Sequence, residues 1–148
     1  MSKPTEIETM LIERACERLI NEFFEAVDLR NEAHLDNLFT EDATYARPIT
    51  PDAIIGGREA IRKSFEARPA GRVGRHTCSN ARITVESADR AVGVHRVTLF
   101  MGPEQSPDPQ FGYKADARIL VGEFADVFVK TAQGWRFHSR RGRVILHT

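Results

Sequence analysis

From residue 72 onward the chain has little but strand spacing, and that is what most limits how it can fold. Four runs follow one another: one around His76 that reaches Val85, then residues 91–100, 118–130 and 135–146. A turn at Ser87-Ala88-Asp89-Arg90, a long connection over 102–117 and a hairpin turn at 131–134 separate them. The last three strands each hold about ten or more residues, and a flat sheet of that length leaves one face bare. Such a sheet has to curl around something, and the upstream half of the chain supplies it.

Over residues 5–27, Ile7, Met10, Leu11, Ala15, Leu19, Ile20, Phe23, Phe24 and Val27 recur at helical steps, which predicts a long amphipathic helix. Thr5 and Glu8 have the spacing of a capping box. A short helix is expected over 31–39, turning Leu35, Leu38 and Phe39 inward and closed by Thr40-Glu41-Asp42. Residues 43–47 read as a short strand stopped by Pro48, 50–57 as a loop, and 58–68 as a third helix with Ile61 and Phe65 inside. Helices first, then long strands, with one short strand among the helices, is an α+β pattern. The expected architecture is a curled mixed β-sheet forming a cone, closed by three N-terminal helices and hollow inside. Residues 1–148 read as a single domain, without repeats or linkers.

With 21 basic and 21 acidic residues, the chain lacks the basic footprint of a nucleic-acid or anionic-membrane binder. A small, weakly charged molecule is the expected partner. Two cysteines, Cys16 and Cys78, make neither a disulfide framework nor a metal box, and read as reduced, half-buried thiols. The polar start Met1-Ser2-Lys3-Pro4-Thr5-Glu6 has no signal-peptide or membrane-span character, so the expected location is the cytoplasm.

The chemistry-bearing residues fall where such a hollow would be. In Arg75-His76-Thr77-Cys78-Ser79-Asn80-Ala81-Arg82-Ile83-Thr84-Val85, strict alternation sets His76 against Ile83 and Val85. Either both faces are covered or a bulge near Ser79-Asn80 re-aims the strand. Asp28 follows the apolar stripe of the first helix and faces the same interior or, alternatively, caps the next helix at Asn31. A carboxylate on one ring nitrogen of a histidine sets the tautomer and raises basicity at the other, so Asp28 and His76 could form a general base. His95, on the next strand, could point into the same cavity.

Arg140 sits mid-strand in His138-Ser139-Arg140-Arg141-Gly142-Arg143, opposite in face to Arg141 and Arg143. Its neighbouring acids are Glu123 and Asp126. It reads either as half of a cross-strand pair or as the group that holds a departing anion or oxyanion. Tyr45 and Arg47, expected on opposite faces of the short strand, could polarise a substrate oxygen. Phe124, Phe128, Trp135 and Phe137 read as core. The histidines have no metal-ligand spacing, Gly56-Gly57-Arg58 is no nucleotide loop, and there is no serine elbow.

The order of a long helix, Ala26-Val27-Asp28, Leu38-Phe39-Thr40-Glu41-Asp42-Ala43-Thr44-Tyr45, Gly57-Arg58-Glu59-Ala60-Ile61, Arg75-His76-Thr77-Cys78 and Gly134-Trp135-Arg136-Phe137-His138 resembles the nuclear-transport-factor-two-like superfamily in its SnoaL-like branch. The resemblance covers essentially the whole chain and implies a cystatin-like cone. Within the branch the chain is most similar to enzymes typified by scytalone dehydratase and hexachlorocyclohexane dehydrochlorinase. It implies that Asp28 orients His76 for proton abstraction without a cofactor, that Arg140 and His95 assist, and that Tyr45, Arg47, Phe24 and Phe124 contact substrate. The implied activity is a cofactor-independent lyase, dehydratase or dehydrohalogenase, acting on a small apolar molecule in polyketide or aromatic metabolism. A homodimer or homotrimer is implied as well. Three readings stand beside it: an isomerase using the same dyad, a ligand-binding protein without catalysis, and an accessory subunit resembling the β chain of ring-hydroxylating dioxygenases.

Overall fold

Residues 3–148 are described by the computed structural model, in the order α1 (Glu6–Asp28), α2 (Glu32–Asp36), β1 (Phe39–Ala46), β2 (Ile55–Gly56), α3 (Arg58–Glu66), β3 (Arg72–Ser87), β4 (Arg90–Pro103), β5 (Leu120–Thr131) and β6 (Gly134–His147). Thr5 and Glu8 form the expected capping box at the start of α1. The apolar stripe of that helix, with Cys16, Leu19, Ile20, Phe23, Phe24 and Val27 buried, packs on β3 and β6.

One sheet holds all six strands in the order β2-β1-β6-β5-β4-β3, antiparallel except where β1 runs parallel to β6. Three strands therefore lie between β1 and β3. In a flat sheet that separation would be about 19 Å at ~4.8 Å per strand, yet Tyr45 of β1 and His76 of β3 line one cavity. The sheet curls around α1, as strands of this length require.

The conflict of faces along β3 is resolved by the bulge. Pairing with β4 slips between Ser79 and Arg82, and Asn80 adopts φ 54°, a left-handed conformation that asparagine tolerates better than most residues. Before the slip Gly74 and His76 face inward; after it Ile83 and Val85 do.

Two boundaries differ from the sequence expectation. The second helix ends at Asp36, and Leu38 and Phe39 are buried from the following turn and from β1 rather than from a helix. Leu38 O accepts the N–H of Phe137 at 2.8 Å, so pairing with β6 claims the segment that helical spacing fits equally well. Thr40-Glu41-Asp42 accordingly lies within β1. The loop after Pro48 also contains β2, two residues paired with Thr44 and Tyr45.

At Gly142 the sheet passes close under Pro48 of the β1–β2 loop. A Cβ there would lie 2.6 Å from Pro48 Cγ and 2.8 Å from Phe124 Cε1. Neither ring has a flexible end to swing aside, so Gly142→Ala should lower stability by about 1–3 kcal/mol. Chemical denaturation measures this, and an unchanged midpoint would mean that Pro48 can move away from residue 142.

Candidate active site

Asp28 ends α1 and is one helical turn beyond Phe24, so its carboxylate leaves the helix on the inward stripe. It does not cap the next helix: the Asn31 side chain does that itself, accepting from His34 N at 3.1 Å. Asp28 is instead committed to His76. Its Oδ1 lies 2.5 Å from His76 Nδ1, and its Oδ2 accepts the backbone N–H of the same residue at 2.8 Å. An ionised carboxylate can only accept, so the proton of the neutral ring sits on Nδ1 and Nε2 is left with a free lone pair. The Phe24 ring, 4.8 Å from the imidazole and tilted by 33°, limits its swing.

The imidazole forms part of the wall of a cavity of about 580 Å³ inside the cone. Phe23, Phe24, Phe65, Val97, Leu99 and Phe124 give that wall its apolar character. Tyr45 and Arg47 reach the same cavity, which corrects the expectation that they take opposite faces. Residues two apart on a strand share a face, and Ala46 between them points the other way into a fully buried position. Burial pushes the Tyr45 phenol up, so it is a proton donor rather than an anion at neutral pH.

Of the two readings of Arg140, the cross-strand pair is the one the structure shows, and His95, expected to point into the cavity, does not. Both are fully buried, and neither is in the cavity wall. Register sets Arg140 opposite Asp126, whose Oδ1 lies 3.0 Å from Nε and whose Oδ2 accepts from Nη2 at 3.2 Å. The rings of Phe23, Phe137, Phe124 and Phe24 surround the guanidinium at 4.2 to 5.2 Å. His95 Nε2 accepts from Arg140 Nη2 at 2.5 Å, which makes His95 the neutral tautomer with its proton on Nδ1, facing Arg96 O at 3.3 Å. His95 stacks on Phe124 with the planes 10° apart. Arg140 and His95 thus stand behind Phe24 and Phe124, two of the rings of the cavity wall, and hold them in place.

Three arginines of the wall escaped sequence reasoning: Arg30, Arg68 and Arg72. Arg72 shares a strand face with Gly74 and His76, so alternation could have found it. Arg30 and Arg68 follow helix ends and carry no periodic signal. Arg68 ties two of those ends together, donating to Phe65 O of α3 and Val27 O of α1 while pairing with Glu32.

A family model described as the SnoaL-like domain matches residues 8–141. The chain belongs to the SnoaL-like domain family. No curated protein matches this SnoaL-like chain. Among solved structures, a provisionally assigned scytalone dehydratase from Novosphingobium aromaticivorans is similar over 97% of this chain and 91% of its own, with 23% identity and a TM-score of 0.82. A type 2 hexachlorocyclohexane dehydrochlorinase is similar over 97% and 92%, with 17% identity and a TM-score of 0.79. A protein described as NTF2-like with a cystatin-like fold, also from N. aromaticivorans, is similar over 93% and 84%, at 22% identity and a TM-score of 0.69. At these identities the likeness is one of fold, and the SnoaL-like cone is the α+β architecture expected from the strand lengths. No helix among the described residues is long and apolar enough to cross a membrane.

The buried pair and the half-buried thiol each lead to an expected outcome. Removing one partner of a sealed ion pair leaves the other charge uncompensated, so Asp126→Ala should cost about 3–5 kcal/mol. Denaturant titration would show it, and a loss below about 1 kcal/mol would mean that water reaches Arg140. Burial pushes the Cys78 thiol up to about 11. Its reactive thiolate is then scarce until pH approaches that value, and iodoacetamide at pH 8 should label native Cys78 roughly two orders of magnitude more slowly than the unfolded chain. Equal rates would contradict the burial.

Proposed function

We propose that this SnoaL-like domain is a lyase of the dehydratase or dehydrohalogenase type. His76 Nε2 takes a proton from a carbon of a small, mainly apolar molecule, the C–H electron pair becomes the new double bond, and the leaving group departs from the adjacent carbon. The observation that carries this reading is the double hold of Asp28 on His76, through the ring Nδ1–H and the backbone N–H, at the wall of an apolar cavity. Asp28 stabilises the imidazolium formed in that step and keeps the basic nitrogen turned to the substrate. Tyr45, a neutral phenol in the same wall, donates to the departing or enolic oxygen. Every group in this scheme belongs to the chain itself. Solved relatives of the same fold bearing dehydratase and dehydrochlorinase names support the choice of elimination among dyad reactions.

Arg140 and His95 enter the reaction as positioning residues for Phe24 and Phe124, since both are sealed from the cavity. Soluble expression in the cytoplasm and self-association through the outer face of the sheet belong to the same reading. Val121, Val127 and Val129 are only half-buried in the single chain.

A positioned acid–base pair contributes roughly 10²–10⁴-fold. On a panel of β-hydroxy ketones and halogenated alicyclic compounds, followed by the appearance of the alkene, His76→Ala should lower kcat by about that factor. Asp28→Asn should lower it comparably, with circular dichroism unchanged in both. Full turnover by His76→Ala on a substrate the wild type converts, or a tight ligand recovered unchanged from the wild type, would overturn the proposal.

A further inference from the structure

The walls of the cavity carry four arginines, Arg30, Arg47, Arg68 and Arg72, against one carboxylate, Asp28. Two of the four are already neutralised: Arg68 pairs with Glu32 at 3.2 Å, and Arg72 with Asp116 of the β4–β5 connection. Both oxygens of Asp28 are hydrogen-bonded by His76, so its negative charge stays at the dyad and is paired with no arginine among the described residues. Arg47 and Arg30 remain, and neither has a carboxylate partner among the described residues. Arg47 donates through Nη2 to the carbonyl and hydroxyl oxygens of Ser64, at 2.7 and 3.2 Å, and Arg30 donates to Pro69 O at 2.6 Å.

The two arginines differ in their surroundings. Arg30 is exposed, so its charge is screened and acts at the mouth. Arg47 is half-buried, with its guanidinium carbon 4.6 Å from the centre of the buried Phe65 ring and 6.0 Å from that of Tyr45. The Phe65 face and Ser64 hold it in one place, and its Nε and Nη1 have no hydrogen-bond partner among the described residues. A pre-positioned guanidinium with neutral partners, facing apolar surface, is an uncompensated positive charge with donors to spare.

We infer that the cavity takes a small organic anion, with a carboxylate or equivalent planar anionic group on Arg47 and an apolar body carrying the acidic C–H towards His76. Arg47 follows β1 and His76 lies on β3, so the two groups enter the cavity from opposite sides of the curled sheet. The anionic end is therefore held by a different part of the wall from the one that meets the carbon losing its proton. This matters chemically, since a carboxylate next to that carbon would oppose carbanion formation. That the occupant is a substrate rests on the elimination reading above; that the site prefers an anion does not.

Equilibrium binding separates the two, using 2-naphthoate and its neutral counterpart 2-naphthamide as probes in isothermal titration calorimetry. Wild-type protein should bind the acid at least about tenfold more tightly than the amide, as expected for a charge-assisted contact. The preference should shrink in 0.5 M salt, about where screening shortens to a few ångströms. Arg47→Gln should bring the two affinities together, and Arg47→Lys should keep part of the difference. His76→Ala, which removes the proposed base, should retain the preference. Equal affinities in the wild type, no binding of the acid at millimolar concentration, or a preference surviving in folded Arg47→Gln would overturn the inference. So would a preference lost in His76→Ala, which would place the anion on the imidazole. If Arg47→Gln does not fold, the wild-type pair of affinities and its salt dependence decide the matter.

Discussion

His76 donates twice to one carboxylate, and those two hydrogen bonds join the last residue of α1 to the sheet-edge strand β3. They fasten the helix to an edge strand of the curled sheet. Because one bond comes from the backbone and the other from the ring, the strand position and the ring orientation are set together. A carboxylate that made only the ring contact could follow the imidazole as it turned; here it cannot. The same pair of bonds is thus a fold restraint and the means by which one nitrogen stays presented to the cavity.

Behind that cavity the interior takes an unusual occupant. Arg140 is completely buried, paired with Asp126, bonded to a neutral His95 and enclosed by four phenylalanine rings. Burial pushes its pKa down, with the Asp126 charge opposing that shift. A hydrophobic replacement of such a pair is often no less stable, and Nη1 has no hydrogen-bond partner among the described residues. Stability alone is therefore a poor reason for the cluster to exist. What it does geometrically is fix Phe24 and Phe124, which separate it from the hollow, so that the dry wall facing His76 has a rigid backing.

Much of this arrangement was legible in residue order. The stripe of α1 and its capping box, the length of the strands, and the clash of faces between His76 and Ile83 each have one physical solution or two. Asp28 was harder, since capping and pairing with a histidine are equally compatible with a carboxylate at a helix end; the Asn31 side chain removes the first option. The error over Tyr45 and Arg47 was one of periodicity, as the two-residue repeat puts them together. Arg140 was legible as the partner of Asp126 and His95 as a ring that could turn inward, but inward has two depths in a curled sheet. Residues near its axis, sealed under α1, do not reach the space nearer the mouth.

Local rules act over a few residues, and what they dictate could be read directly: helix and strand periods, the capping box, the need for a bulge, the α+β order and the curl that long strands impose. Distances between residues far apart in the chain follow from how the curled sheet, the helix and the loops settle against one another. Nothing in the spacing of residues 28 and 76 says that their side chains meet at 2.5 Å, nor that Arg30 and Arg47 lack, among the described residues, the acidic partners that Arg68 and Arg72 have. Charge is a property of composition, but compensation of charge is a property of position, and position inside this cone is set by the curl of the sheet.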